Sequence, residues 1–129
     1  KVAQQKRIQV VPLVGPSSIL LALMASGMNG QNFAFHGYLP IDKTERKKKL
    51  MHLESESANT GVAQIFMETP YRNNQMVDDL TKILRAETKI CVACHITLED
   101  EDIRTLAIKE WKNEKYDFHK RPAIFVLQA

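Results

Sequence analysis

Thr60-Gly61-Val62-Ala63-Gln64-Ile65-Phe66-Met67 runs without a charge into Glu68-Thr69-Pro70-Tyr71-Arg72. The apolar run predicts a buried strand, and Pro70 ends it. Its tip carries Glu, Tyr and Arg into a loop. In open α/β sheets ligands gather at the carboxyl ends of strands, so a polar tip here is a candidate site. A capped loop with a solvated Arg is the plain structural alternative. Downstream, Asn73 or Asn74 begins a helix with Met76, Val77, Leu80, Ile83 and Leu84 on one face. Residues 89–96 (KICVACHI) read as a second buried strand and 123–128 (AIFVLQ) as the last one. Between them, 103–108 reads as an edge strand followed by a short helix around 110–114.

Upstream, Asp42 or Thr44 can cap a charged helix running to about Ser57. Its apolar positions are Leu50, Met51 and Leu53 only, a narrow stripe that predicts a surface helix. Residues 33–39 alternate and lead to Pro40, which suggests another strand. Residues 8–13 (IQVVPL) form a short β-branched run, also a predicted strand. Gly15-Pro16-Ser17-Ser18 then opens a helix with Ile19, Leu20, Leu23 and Met24 on its apolar face, stopped by Gly27 and Gly30. Helices alternate with strands at first, and strands dominate later. The fold class expected is α/β, a mixed sheet of mostly five strands with flanking helices. Its predicted strands are 8–13, 34–39, 61–67, 89–96 and 123–128.

The chain has 129 residues, 44% hydrophobic and 26% charged. That is the size and composition of one globular domain, which excludes global disorder, collagen and coiled coil. No apolar run reaches membrane-spanning length. The opening Lys1-Val2-Ala3-Gln4-Gln5-Lys6-Arg7 has no initiator Met and no signal-peptide apolar region. It reads as the end of a helix, so a piece of a longer protein is expected.

The net charge of +3 permits a nucleic-acid partner without demanding one. Lys43, Arg46, Lys47, Lys48 and Lys49 cluster, His119-Lys120-Arg121 form a smaller group, and acids gather at 99–102. The lysine run can contact phosphates or can be a solvated helix face. Gly15 to Ser18 can offer backbone N–H groups to a ligand or can simply cap a helix. Cys91-Val92-Ala93-Cys94-His95 matches a haem-attachment pattern. On a strand, however, residues three apart face opposite sides, so these are expected to be buried structural cysteines with no metal or haem. Two cysteines without a secretory signal suggest the cytoplasm. No nucleophile–base pair, P-loop or G-x-G-x-x-G is present.

The ordered set is more specific than any member. Val10-Val11-Pro12-Leu13-Val14-Gly15-Pro16-Ser17-Ser18 precedes an Ala/Leu-rich helix. Phe33-Ala34-Phe35-His36-Gly37-Tyr38-Leu39-Pro40, a Lys43…Arg46…Leu50 helix and Met67-Glu68-Thr69-Pro70-Tyr71-Arg72 follow. This order resembles the tetrapyrrole (corrin/porphyrin) methylase superfamily of S-adenosylmethionine (SAM) methyltransferases. Its nearest branch is that of the small-subunit ribosomal RNA ribose-2′-O-methyltransferases. The resemblance implies a two-domain enzyme with the cofactor in the cleft between domains. Residues 1–7 would end the interdomain helix and 8–129 would form the C-terminal domain, inactive by itself. It implies cofactor contacts from Pro16, Ser17, Ser18, Phe66, Met67, Glu68 and Thr97, and RNA contacts from Arg46, Lys47, Lys49 and Arg72. It also implies a cytoplasmic homodimer acting on ribosomal RNA or the small subunit, with catalytic groups outside this chain. The branch usually has Pro where Val14 stands. Its Arg-Glu-Leu-Thr-Lys segment aligns with Cys94-His95-Ile96-Thr97-Leu98, where only Thr97 is identical. Two other readings remain open at this point: methylation of a corrin-type small molecule, and a non-enzymatic interaction domain of the same fold.

Overall fold

The computed structural model describes residues 1–129. Five strands form one mixed sheet: β1 (Phe33–Tyr38), β2 (Ala63–Met67), β3 (Lys89–Cys94), β4 (Asp102–Ala107) and β5 (Ala123–Gln128). Their spatial order is β1-β2-β5-β3-β4. β1 pairs with β2 in parallel, whereas β5 is antiparallel to both β2 and β3, and β4 is antiparallel to β3. The carboxyl ends of β1, β2 and β3 therefore share one edge of the sheet. The helices are α1 (Val2–Gln5), α2 (Ser18–Ser26), α3 (Lys43–Thr60), α4 (Asn73–Ile83) and α5 (Ile108–Trp111). A 3₁₀ turn, Pro70–Arg72, leads into α4. No helix is long and apolar enough to cross a membrane.

The expected α/β class with a mixed five-stranded sheet is the one observed, but its membership differs by one strand. Residues 8–13 are not a strand. Ile8, Val10, Val11 and Leu13 all lie exposed in a segment without regular secondary structure. β-branched residues favour extended backbone, yet a strand exists only where a neighbour completes the ladder, and no edge of this sheet meets this segment. The fifth strand is β4, the predicted edge strand, shifted by one residue.

The charged helix is also more deeply seated than its apolar stripe predicts. Asp42 caps α3, its Oδ1 accepting from the Glu45 N–H at 3.0 Å. The helix ends at Gly61, whose φ of 73° is left-handed and which donates its N–H to Ser57 O at 2.8 Å. Its buried face reads Arg46, Leu50, Leu53, Glu54 and Ser57, a regular helical spacing in which three members are polar. Each of the three has partners. Glu54 accepts from Thr88 Oγ1 at 2.6 Å and the Arg85 N–H at 2.8 Å, and Ser57 Oγ accepts from the Ala129 N–H at 3.0 Å. The partners of Arg46 build the site described below.

Two apolar layers flank the sheet. α2 covers one face, setting Ala22 and Leu23 against Ala63, Ile65, Cys91, Ala93, Ile124 and Val126. α3, α4 and α5 cover the other, where Leu50, Leu53, Met76, Leu80 and Trp111 pack on Phe66, Val92, Cys94, Phe125 and Leu127. Cys91 and Cys94 thus face opposite layers, as strand alternation requires. Burial pushes the Cys94 thiol up to about 12 and raises Cys91 as well. Both stay protonated at neutral pH, and neither is poised as a thiolate ligand or nucleophile.

Candidate functional site

β1, α3 and β2 form a parallel crossover. α3 runs back along the sheet, so its first turn lies at the carboxyl ends of β1 and β2. Arg46 fixes that arrangement. Its Nε donates to Pro40 O at 3.0 Å, one terminal nitrogen to Asp79 Oδ2 at 3.1 Å and the other to Glu68 Oε2. Glu68 Oε1 accepts from the Thr69 N–H at 2.7 Å and from Arg72 Nε at 3.3 Å. Side chains of both Arg46 and Glu68 are about as buried as the core. Two guanidinium groups and two carboxylates therefore satisfy one another and tie the β2 tip to α3 and α4.

Beside this cluster, on the α2 side of the sheet, a cavity of about 370 Å³ opens at the carboxyl edge. Met67, Ala93, Ile96 and Ile124 give it an apolar floor. Ser18, Tyr38, Glu68 and His95 supply polar groups at its wall, and Pro70 and Pro122 close its sides. An apolar cleft with a few placed polar groups is the usual form of a small-molecule site.

The wall at His95 is held in an uncommon backbone conformation. His95 and Thr97 have φ of 48° and 70°, the left-handed region that side chains other than glycine enter at a cost. The His95 N–H bonds Pro122 O at 3.0 Å, and its Nδ1 meets Asp100 Oδ2 at 2.6 Å. The Thr97 N–H bonds Glu101 Oε1 at 2.9 Å. Two acids of the 99–102 run thus hold the turn. The contact with His95 draws the Asp100 carboxyl below the usual carboxylate range. With Nδ1 engaged by a carboxylate, Nε2 is the ring nitrogen left for a hydrogen bond to a ligand.

Of the residues expected at a cofactor, Ser18, Met67 and Glu68 line the cavity. Pro16 and Ser17 lie outside it, on the approach to α2. Thr97 is exposed and off the cavity wall. Phe66 is a correction: strand alternation turns it to the opposite layer, where it stacks on Phe125 with centroids 5.5 Å apart and planes within 5°. Of the residues expected at RNA, Lys47 is exposed, Lys49 is half-buried and Arg72 is partly exposed. Arg46 is a second correction, because its guanidinium is enclosed and fully committed to Glu68, Asp79 and Pro40. His95 and Tyr38 were not anticipated as cavity residues. Each sits where a predicted strand ends, so the rule that selected Glu68 could have selected them.

The five-stranded sheet and its flanking helices, with the cavity at the carboxyl edge, form a fold that solved structures also show. Two solved structures share it. The methyltransferase CobJ superposes with a TM-score of 0.57 and 14% identity, over 88% of this chain and 48% of that one. The cobalt precorrin-4 methyltransferase CbiF superposes with 0.57 and 12%, over 98% and 55%. These likenesses establish the fold alone.

The sequence relatives are more specific. The chain is 33% identical over 107 residues to the ribosomal RNA small subunit methyltransferase I of Vibrio cholerae, covering 83% of this chain and 36% of that protein. The enzyme of the same name from Haemophilus influenzae is 32% identical over 125 residues, covering 95% and 43%. The chain spans less than half the length of these curated relatives. No family model matches it.

Proposed function

We propose that this chain is the C-terminal domain, residues 8–129, of a SAM-dependent methyltransferase that modifies a ribose 2′-hydroxyl of small-subunit ribosomal RNA. Residues 1–7 end the helix that links it to a preceding domain. The observation carrying this reading is the similarity to ribosomal RNA small subunit methyltransferase I over most of the chain. The cavity supports it. Its apolar floor of Met67, Ala93 and Ile124 suits the adenosine side of SAM, and Ser18 and His95 offer polar contacts at the wall. A two-domain cleft leaves half its wall on each domain, which matches a cavity open on one side. When bound, SAM supplies a methyl group already activated by its sulfonium. The work left to this chain is to hold and orient the two partners. Lys47, Lys49 and Arg72 stand as the phosphate contacts of this domain, near the edge that carries the cavity. The whole enzyme is read as a cytoplasmic homodimer.

The test is methyl transfer from labelled SAM to isolated small ribosomal subunits by the full-length protein. The expected product is one ribose-methylated nucleotide per subunit, located by nuclease-resistant digestion. Label appearing only in a corrin or porphyrin substrate, or in neither, would defeat this reading.

A further inference from the structure

Tyr71 projects from the 3₁₀ turn between β2 and α4 and is 69% exposed. The ring nevertheless has neighbours. His119 meets it edge-on, with centroids 5.8 Å apart and planes at 73°. Lys120 places its ammonium 6.0 Å from the ring centroid. The loop carrying both is fastened to the turn by several bonds. The Lys120 N–H donates to Pro70 O at 3.0 Å, with Lys120 at a left-handed φ of 58°. Asn73 Nδ2 donates to Arg121 O at 2.6 Å, and the Phe118 N–H donates to Asn74 Oδ1 at 2.8 Å.

The charge nearest the ring is positive. Lys120 lies over it, and the partly exposed Arg72, paired through Nε with Glu68, is the next residue in the chain. Of the nearby carboxylates, Glu68 is ion-paired with Arg46 and Arg72, while Asp117, which accepts from Asn74 and the His119 N–H, keeps its negative charge on the far side of His119 in the chain. Pro70, the residue before Tyr71, and the 63%-exposed Tyr38 both line the cavity. An exposed aromatic ring with a cation over it, a second cation next in the chain and a small-molecule cavity beside its turn matches the chemistry of an unstacked base with its phosphates.

We propose that Tyr71, framed by His119 and Lys120, is a stacking platform for one splayed-out base of single-stranded RNA entering the site. Arg72 and Lys120 hold the flanking phosphates. This rests on the ribosomal RNA reading and specifies how the RNA is gripped. A duplex hides its base faces, so the platform selects unpaired nucleotides. It is sequence-tolerant, because every base has a π face.

The experiment is fluorescence anisotropy of a labelled oligouridine of about ten nucleotides with the full-length protein, across a salt series. Tyr71→Ala is expected to weaken binding about tenfold or more, and Tyr71→Phe to retain it. Lys120→Ala should lower the salt slope by about 0.7, the loss of one phosphate contact on a single strand. Tyr71 is exposed, so none of these changes endangers the fold, and thermal melting checks that. Wild-type RNA binding that Tyr71→Ala leaves unchanged would overturn the platform while the RNA reading stands. Duplex RNA binding as well as the oligouridine would also overturn it. Wild-type protein that binds neither oligouridine nor small subunits would remove both.

Discussion

Arg46→Ala is expected to destabilise the fold by about 3–5 kcal/mol, the cost of removing one partner from a buried ion pair. The mutation leaves Glu68 with an enclosed carboxylate that keeps only the Thr69 N–H and the weaker Arg72 contact. It also removes the Arg46 donors of Asp79 Oδ2 and Pro40 O, leaving Asp79 with Gln75 Nε2 on its other oxygen. Urea unfolding monitored by circular dichroism measures the loss. The double variant Arg46→Ala/Glu68→Ala should cost clearly less than the sum of the two single changes, because each single variant strands the other's charge. The outcome also separates structure from binding. In the protein that remains folded, Arg46→Ala should leave the salt dependence of RNA binding unchanged, whereas Lys47→Ala should reduce it. Strict additivity, or a loss below about 1 kcal/mol, would show that the cluster is not the clamp described.

Phe66→Ala is expected to cost a similar amount, about 3–5 kcal/mol, through a cavity opened in the densely packed layer under α3 and α4. The parallel stack on Phe125 adds to the loss beyond area alone. Phe66→Leu keeps most of the volume and should cost far less. Both variants, once folded, should bind SAM in the full-length protein as the wild type does, because the ring faces away from the cavity. Calorimetric titration of SAM checks this. A variant of wild-type stability with weakened SAM binding would return Phe66 to the cofactor site.

These two residues mark where sequence reading stopped. The run around Phe66 announced a buried strand, and alternation alone would have sent Met67 and Phe66 to different layers. Only the structure shows which layer holds the cavity. Arg46 sits in a lysine-rich run in which Lys47 and Lys48 are exposed and Lys49 is half-buried. Its own burial depends on Asp79, 33 residues away, and on Glu68, and no local pattern reports such partners. Conversely, the strand at 123–128 was legible to the residue, because five consecutive apolar residues inside a sheet have few alternatives. Residues 8–13 misled for the same reason in reverse. Their β-branched content states a preference for extended backbone, while strand formation needs a neighbour. The acidic run at 99–102 read as charge. Its role is geometric: Asp100 and Glu101 hold the strained turn that shapes one wall of the site.

The proposed place of the cofactor is the carboxyl edge of this sheet, between α2 and the ends of β2 and β3. Ultraviolet crosslinking of radiolabelled SAM to the full-length protein, followed by peptide mapping, tests it directly. The account predicts that label on this domain falls on the peptides carrying Met67 to Pro70 and His95 to Leu98, and that excess unlabelled SAM abolishes it. Competable label confined to the opposite end of the sheet, around Asn29 and Gln128, would contradict it.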